Sequence, residues 1–153
     1  MEYHREKWLP CATFAVTGAQ CDDDPPQLTM RFARRVFLIA AIYGFIVLVP
    51  QYFLEGKTGR DFPPAITHAE YYYGFIGVAL AWQIVFLIIS RDPARYRPIM
   101  IPAILEKASF GFAAIALFLL GRLNAQMLGA GVLDLALGAL FVLAYVRTAN
   151  GGG

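Results

Sequence analysis

Two stretches of the chain run for the length of a membrane crossing without one charged side chain: the 19 residues 36–54 and the 20 residues 71–90. As helices rising 1.5 Å per residue, both reach across a hydrocarbon core of about 30 Å. Two further apolar blocks follow at residues 98–121 and 123–146, but these enclose Glu106, Lys107 and Asp134. The uncharged part of the third block is only the 14 residues 108–121, a length that also suits a re-entrant or interfacial segment.

The basic residues between the blocks decide how the third is read. If all four blocks cross, one side receives Arg31, Arg34, Arg35, Arg91, Arg95, Arg97 and Arg147, and the other only Lys57, Arg60 and Arg122. Cytoplasmic loops collect Lys and Arg, so both termini are expected in the cytoplasm. Were the third block not to cross, the fourth would carry Arg147 outward and break this asymmetry. The pattern therefore predicts an all-α protein, a four-helix antiparallel transmembrane bundle.

Residues at the ends of the blocks suit interfaces. Tyr71, Tyr72 and Tyr73 open the second, Tyr52 and Phe53 close the first, and Tyr145 lies near the end of the fourth, where amphipathic rings favour the headgroup zone. Arg91 to Pro98 reads as a tight basic turn, because Pro93 and Pro98 break helices. Residues 55–70, with Gly56, Gly59, Pro63 and Pro64, read as an external loop.

The amino-terminal stretch resembles a signal peptide in outline, with Arg5 and Lys7 before an apolar run from Trp8 to Ala19. Pro10 interrupts that run, and cleavage near Cys21 would strand the Arg31–Arg35 cluster outside. The simpler expectation makes residues 1–29 a disordered or mis-annotated extension before Met30, with a membrane domain at 30–148 and a flexible tail at 149–153. Cys11 and Cys21 have no His or second Cys pair at zinc or haem spacing and set no redox compartment.

Composition agrees with a membrane protein. The 153 residues are 58% hydrophobic and only 16% charged, against about a quarter charged in soluble domains, and the mean hydropathy is +0.54. A net charge of +2 gives no reason to expect nucleic acid.

Helices associate in lipid through close backbone approach, so small residues at helical spacing mark faces expected to be buried. These are Ala40, Gly44 and Gln51 in the first block, and Glu70, Gly74, Gly77 and Ala81 in the second. The third offers Glu106, Ser109, Ala113 and Ala116, and the fourth Gly131, Asp134 and Gly138. An ionisable group at membrane depth costs about 2.5–3.5 kcal/mol on insertion scales, which singles out Glu106, Lys107 and Asp134. Glu106 should sit about 10–12 Å, and Asp134 about 18 Å, from the cytoplasmic end. The Lys107 ammonium can then reach Asp134, leaving Glu106 to a tyrosine, a glutamine or water. Either a buried pair fixes helix register, or the group is a proton or ligand site.

Gln83, Ser109 and Gln51 are candidates for lining a pocket, although a membrane Gln serves equally as an interhelical hydrogen bond. His68 and Glu70, beside Tyr71, Tyr72 and Tyr73, outline an outer-interface site; two ligands are too few for a metal, and a helix cap explains them as well. Arg91, Arg95 and Arg97 suit anionic headgroups, though topology already accounts for them. The chain contains no phosphate-binding glycine loop, Gly-x-Ser-x-Gly elbow, His-Glu-x-x-His or Cys-x-x-Cys-His motif. No catalytic residue, metal or cofactor is expected.

Four closely spaced spans behind an Arg-rich start, with Arg35 preceding Gly44 and Glu70-Tyr71-Tyr72-Tyr73-Gly74-Phe75 opening the second span, resemble small bacterial DoxX-like membrane proteins and related four-helix families. The resemblance covers residues 30–148 and lies in architecture. It implies a multi-pass protein of the bacterial inner membrane, in a group linked to redox-complex partners and stress responses. Three functions stay open. A scaffold or accessory subunit, with a membrane-protein partner or a second copy, is favoured because no catalytic constellation is visible. A proton-coupled transporter would use Glu106, Lys107 and Asp134, and a quinone-associated redox partner the His68 and tyrosine region.

Overall fold

A computed structural model describes residues 25–62 and 65–149. Most of the expected extension, residues 1–24 with both cysteines and the signal-like run, lies outside the described residues, as do Pro63, Pro64 and the tail from Asn150. The described residues form five helices and no strand: α1 (Pro25–Leu48), α2 (Glu55–Asp61), α3 (Ala69–Arg91), α4 (Met100–Leu119) and α5 (Ala125–Ala149). Four of them are long and apolar enough to cross a membrane, including the two blocks that carry buried charges.

Proline, glycine and caps set the ends. Pro25 and Pro26 open α1, five residues before Met30, in a first turn where a missing N–H leaves no helical partner unsatisfied. Pro50 cannot donate to the carbonyl one turn back, and the helix tightens there into a 3₁₀ turn over Val49–Phe53. Pro102 sits in the first turn of α4, where it is tolerated. The last turn of α4 closes with Gly121 at φ +68°, where Gly121 N–H donates to Phe118 O (2.9 Å) and Arg122 N–H to Leu117 O (2.8 Å). That left-handed position suits glycine. Asn124 caps α5, its Oδ1 accepting from the Met127 N–H at 2.9 Å.

The connection expected as a loop over 55–70 contains α2. Its sequence carries a helical signal that the glycines obscured: Glu55 in the first turn, Arg60 in the last, and a Lys57–Asp61 ion pair four residues apart. Tyrosines fasten this segment to α3. Tyr72 Oη donates to Gln51 O at 2.8 Å, Tyr73 Oη donates to Glu55 Oε2 at 2.8 Å, and the Tyr52 and Tyr73 rings stack at 5.8 Å.

α1 packs against both α3 and α5, and α4 packs chiefly on α5, whereas α3 and α4 scarcely touch. The three inner helices meet at Phe37, Phe86 and Phe141, all fully buried, with Phe37 and Phe141 stacked at 4.2 Å and Phe86 edge-on to Phe141 at 5.0 Å. Such ring pairs contribute about 0.5–1.5 kcal/mol each beyond their buried area. Outward-facing positions are apolar instead: Ile39, Ile46, Val78, Leu105 and Phe112 are all exposed.

The small-residue faces were half legible. In α1, Ala40 and Gly44 are buried, and in α5, Gly131 and Gly138 are buried. In α3, however, Glu70, Gly74 and Ala81 are exposed, and the buried line is Ile76, Ala79, Gln83, Phe86 and Ile89. In α4, Ser109, Ala113 and Ala116 are exposed, and the line is Met100, Ala103, Lys107, Gly111 and Ala114. In α4 a second small-residue row, Ala103, Gly111 and Ala114, lies about 100° round the helix from the expected one and is the row that packs, with Lys107 in it; in α3 the buried line is mostly bulky, so small residues do not mark it.

Candidate functional site: a cavity ending in buried charges

Gly111, Gly131 and Gly138 let α4 and α5 approach closely. A Cβ on Gly131 would lie 2.5 Å from the Ala114 Cβ, and one on Gly138 would lie 3.3 Å from the Lys107 Cβ. The stem of Lys107 therefore runs against the α5 backbone, and its ammonium lies one turn back along α5, at Asp134. Lys107 Nζ donates to Asp134 Oδ1 and Oδ2, both at 3.2 Å. It also stands 3.3 Å from Glu106 Oε2. Below it lies the Phe86 ring, centroid 5.5 Å away, so the phenylalanine cluster forms a floor under the ammonium. Lys107 is 7% exposed.

The expected Lys107–Asp134 contact is thus present. Glu106 joins it instead of pairing with a tyrosine or glutamine. Two carboxylates share one ammonium, a formal charge of −1 when all three are ionised. Glu106 Oε2 is buried and, although ion-paired with the ammonium, makes no hydrogen bond.

Because α3 and α4 stand apart, a cavity of about 420 Å³ opens between them, walled by all four long helices. Glu106, Lys107 and Asp134 lie at one end, and Gln51, Thr58, Ile66 and Tyr72 at the end toward α2. Tyr43, Val47, Phe75, Phe110, Met127 and Ala130 supply a largely apolar lining between them. Gln83, 2% exposed, lies over Gly44, where an added Cβ would come within 2.1 Å of Gln83 Oε1. Its Nε2 donates to Ala79 O at 2.9 Å, within its own helix, and Oε1 has no partner.

Of the three pocket candidates, Gln83 and Gln51 line the cavity and Ser109 does not. Ser109 is exposed, its hydroxyl donating to Glu106 O at 2.9 Å, because it stands on the side of α4 away from α5. Gln51 Nε2 donates to Val47 O at 3.3 Å. The outer-interface candidates divide. His68 and Glu70 pair with each other at 3.1 Å and are both exposed, and Tyr71 lies edge-on to His68 at 5.5 Å. Tyr73 ties α3 to Glu55, and Tyr72 alone of this group reaches the cavity. Among the described residues no three His, Cys, Asp or Glu side chains stand together as a metal site would need.

Sequence reasoning missed Tyr43, Gly44 as the platform for Gln83, and Phe75 and Phe110. Tyr43-Gly44 was a usable signal, a mid-helix phenol beside a glycine in an otherwise aliphatic run. Phe75 and Phe110 had none, since an aromatic side chain in an apolar helix suits lipid as well as a cavity wall. No family model, curated protein or solved structure matches the chain.

Proposed function

We propose that the chain is a multi-pass protein of the bacterial inner membrane, an antiparallel bundle of four spans with both ends in the cytoplasm, that binds a small molecule in the cavity above Lys107. Support for the membrane comes from four long apolar helices whose exposed side chains are aliphatic or aromatic while their mid-helix charges turn inward. The observation that carries the binding reading is the charged end of an otherwise apolar cavity. Its volume of about 420 Å³ falls among small-molecule sites, which combine apolar walls with a few convergent polar groups. A carrier that couples its ligand to a proton is one form of this reading. The DoxX-like resemblance contributes the four-span architecture to it and no residue.

A second reading, a scaffold or accessory subunit, draws on the exposed small residues Gly74 and Ala81 of α3 and Ser109, Ala113 and Ala116 of α4. These suit close contact with a partner helix or a second copy. In that reading the cavity is a packing void. Ala130→Phe separates the two. In the purified chain in mild detergent, the binding reading predicts that a panel of amines, alcohols and carboxylates on aromatic bodies contains members that raise Tm, and that Ala130→Phe removes the shift. No shift in the parent, with Ala130→Phe more stable than the parent, would return the chain to the scaffold reading.

A further inference from the structure

The turn from α3 to α4, the end of α5 and the start of α1 meet through arginines. Arg97 Nε donates to Tyr145 O at 3.2 Å, and the Arg147 guanidinium lies 4.9 Å from the Phe32 ring centroid. The basic residues of these segments, from Arg31 to Arg35, Arg91 to Arg97 and at Arg147, are all arginine, with no lysine among them. Orienting a chain in the membrane requires only positive charge, which lysine supplies equally. Arginine differs in its planar fork of N–H donors, which matches the oxygens of a phosphate.

These arginines lack partners within the protein. Among the described residues, Arg34, Arg35, Arg91, Arg95, Arg97 and Arg147 form no ion pair. Asp92 is the one described carboxylate in these segments, and its Oδ1 accepts from the Arg95 backbone N–H at 3.1 Å. Arg97 is the most fixed of the six. Its guanidinium lies 4.0 Å from the Tyr145 ring centroid, with Nε committed to the Tyr145 carbonyl. A guanidinium carries five N–H donors, so the four on the Nη nitrogens remain without a described acceptor. Beyond the turn, Ile99, Ile101 and Leu105 are exposed along α4, an apolar track beside the charge. Phosphate oxygens joined to acyl chains satisfy both features together, which a soluble anion or an acidic protein segment does not.

We propose that this end of the chain holds anionic phospholipid headgroups, Arg97 on its Tyr145 seat gripping a phosphate through its Nη groups while Arg91 and Arg95 supply the surrounding charge. This rests on the membrane reading above and is independent of the cavity.

The test takes the full chain in micelles containing equal amounts of phosphatidylglycerol and phosphatidylcholine with the same acyl chains, and counts retained lipids by native mass spectrometry. Each basic residue near an anionic surface contributes roughly fivefold to attraction. Phosphatidylglycerol should therefore be retained at least tenfold over phosphatidylcholine, and Arg91→Gln/Arg95→Gln, at exposed side chains, should reduce its retention at least fivefold. Arg97→Lys keeps the charge and loses the planar fork, and should reduce retention at least threefold. Lys57→Gln/Arg60→Gln, on α2, should stay within twofold of the parent. Equal retention of the two lipids, or an equal loss from the α2 variant, would overturn the proposal, and an undiminished Arg97→Lys would overturn the phosphate grip. Soluble glycerol phosphate retained as strongly as phosphatidylglycerol would make the occupant a free phosphate. Flotation with vesicles of each lipid separates the two readings. A chain that floats with both and prefers neither loses this inference alone, and one that floats with neither loses the membrane reading as well.

Discussion

Replacing Lys107 with Met leaves an apolar side chain of similar length and takes away the one cation shared by Glu106 and Asp134. Each carboxylate has an oxygen within 3.3 Å of the same nitrogen, so the two lie no more than about 7 Å apart. At an effective dielectric constant of about 20, their unscreened repulsion at that separation is about 2.5 kcal/mol. Asp134 loses two hydrogen bonds besides. The total agrees with the roughly 3–5 kcal/mol typical of breaking a buried pair from one side. For a chain of this size that is a fall in Tm on the order of ten degrees. Lys107→Met/Asp134→Leu removes both halves of the main contact and leaves Glu106, which can take up a proton. The double variant should therefore recover part of the loss, with a coupling of at least about 1 kcal/mol. Thermal unfolding in detergent, followed by circular dichroism for the parent, both single variants and the double, measures the cycle. Strictly additive losses would mean that Lys107 and Asp134 do not sense each other, and the account of the charged end of the cavity would be refuted.

Other outcomes follow from the same geometry. Gly131→Ala places a methyl 2.5 Å from the Ala114 Cβ on a rigid neighbouring helix, and overpacking there should cost about 1–3 kcal/mol in the same unfolding assay. Asn124→Ala removes the cap of α5 and should cost about 1 kcal/mol, with Asn124→Asp close to the parent. Reporter fusions after Ala149 and at Gly59 should report opposite sides of the membrane, the first cytoplasmic; a fusion after Ala149 active only outside would contradict the proposed orientation.

Length and hydropathy alone made the first two long helices legible, and the basic residues between the blocks argued for reading the charged third and fourth blocks as spans. The contact between Lys107 and Asp134 was legible because a mid-helix cation needs a partner and few were available. The cavity was not. It exists because α3 and α4 stand apart, a consequence of α1 packing against both α3 and α5, and no residue pattern encodes a gap between helices distant in sequence. Faces were misread for the same reason: Gly74 is as small as Gly131 and Gly138, and only the position of a neighbouring helix distinguishes an open glycine from a packed one. α2 escaped notice because Gly56 and Gly59 outweighed its i,i+4 ion pair in a seven-residue segment.

The proposed function places these helices in lipid around a cavity that a small molecule enters, and a small water-soluble reagent should then enter it too. With Cys11 and Cys21 changed to Ser, single cysteines at Ala130, which lines the cavity, and at Phe112, which is exposed on the outer face of α4, separate lipid, water and packed protein. In intact membranes, a small water-soluble thiol reagent should label Ala130→Cys and leave Phe112→Cys unreacted until detergent is added. Rapid labelling of Phe112→Cys in the membrane, or an Ala130→Cys that stays inert in the membrane while reacting once the chain is denatured, would contradict the account.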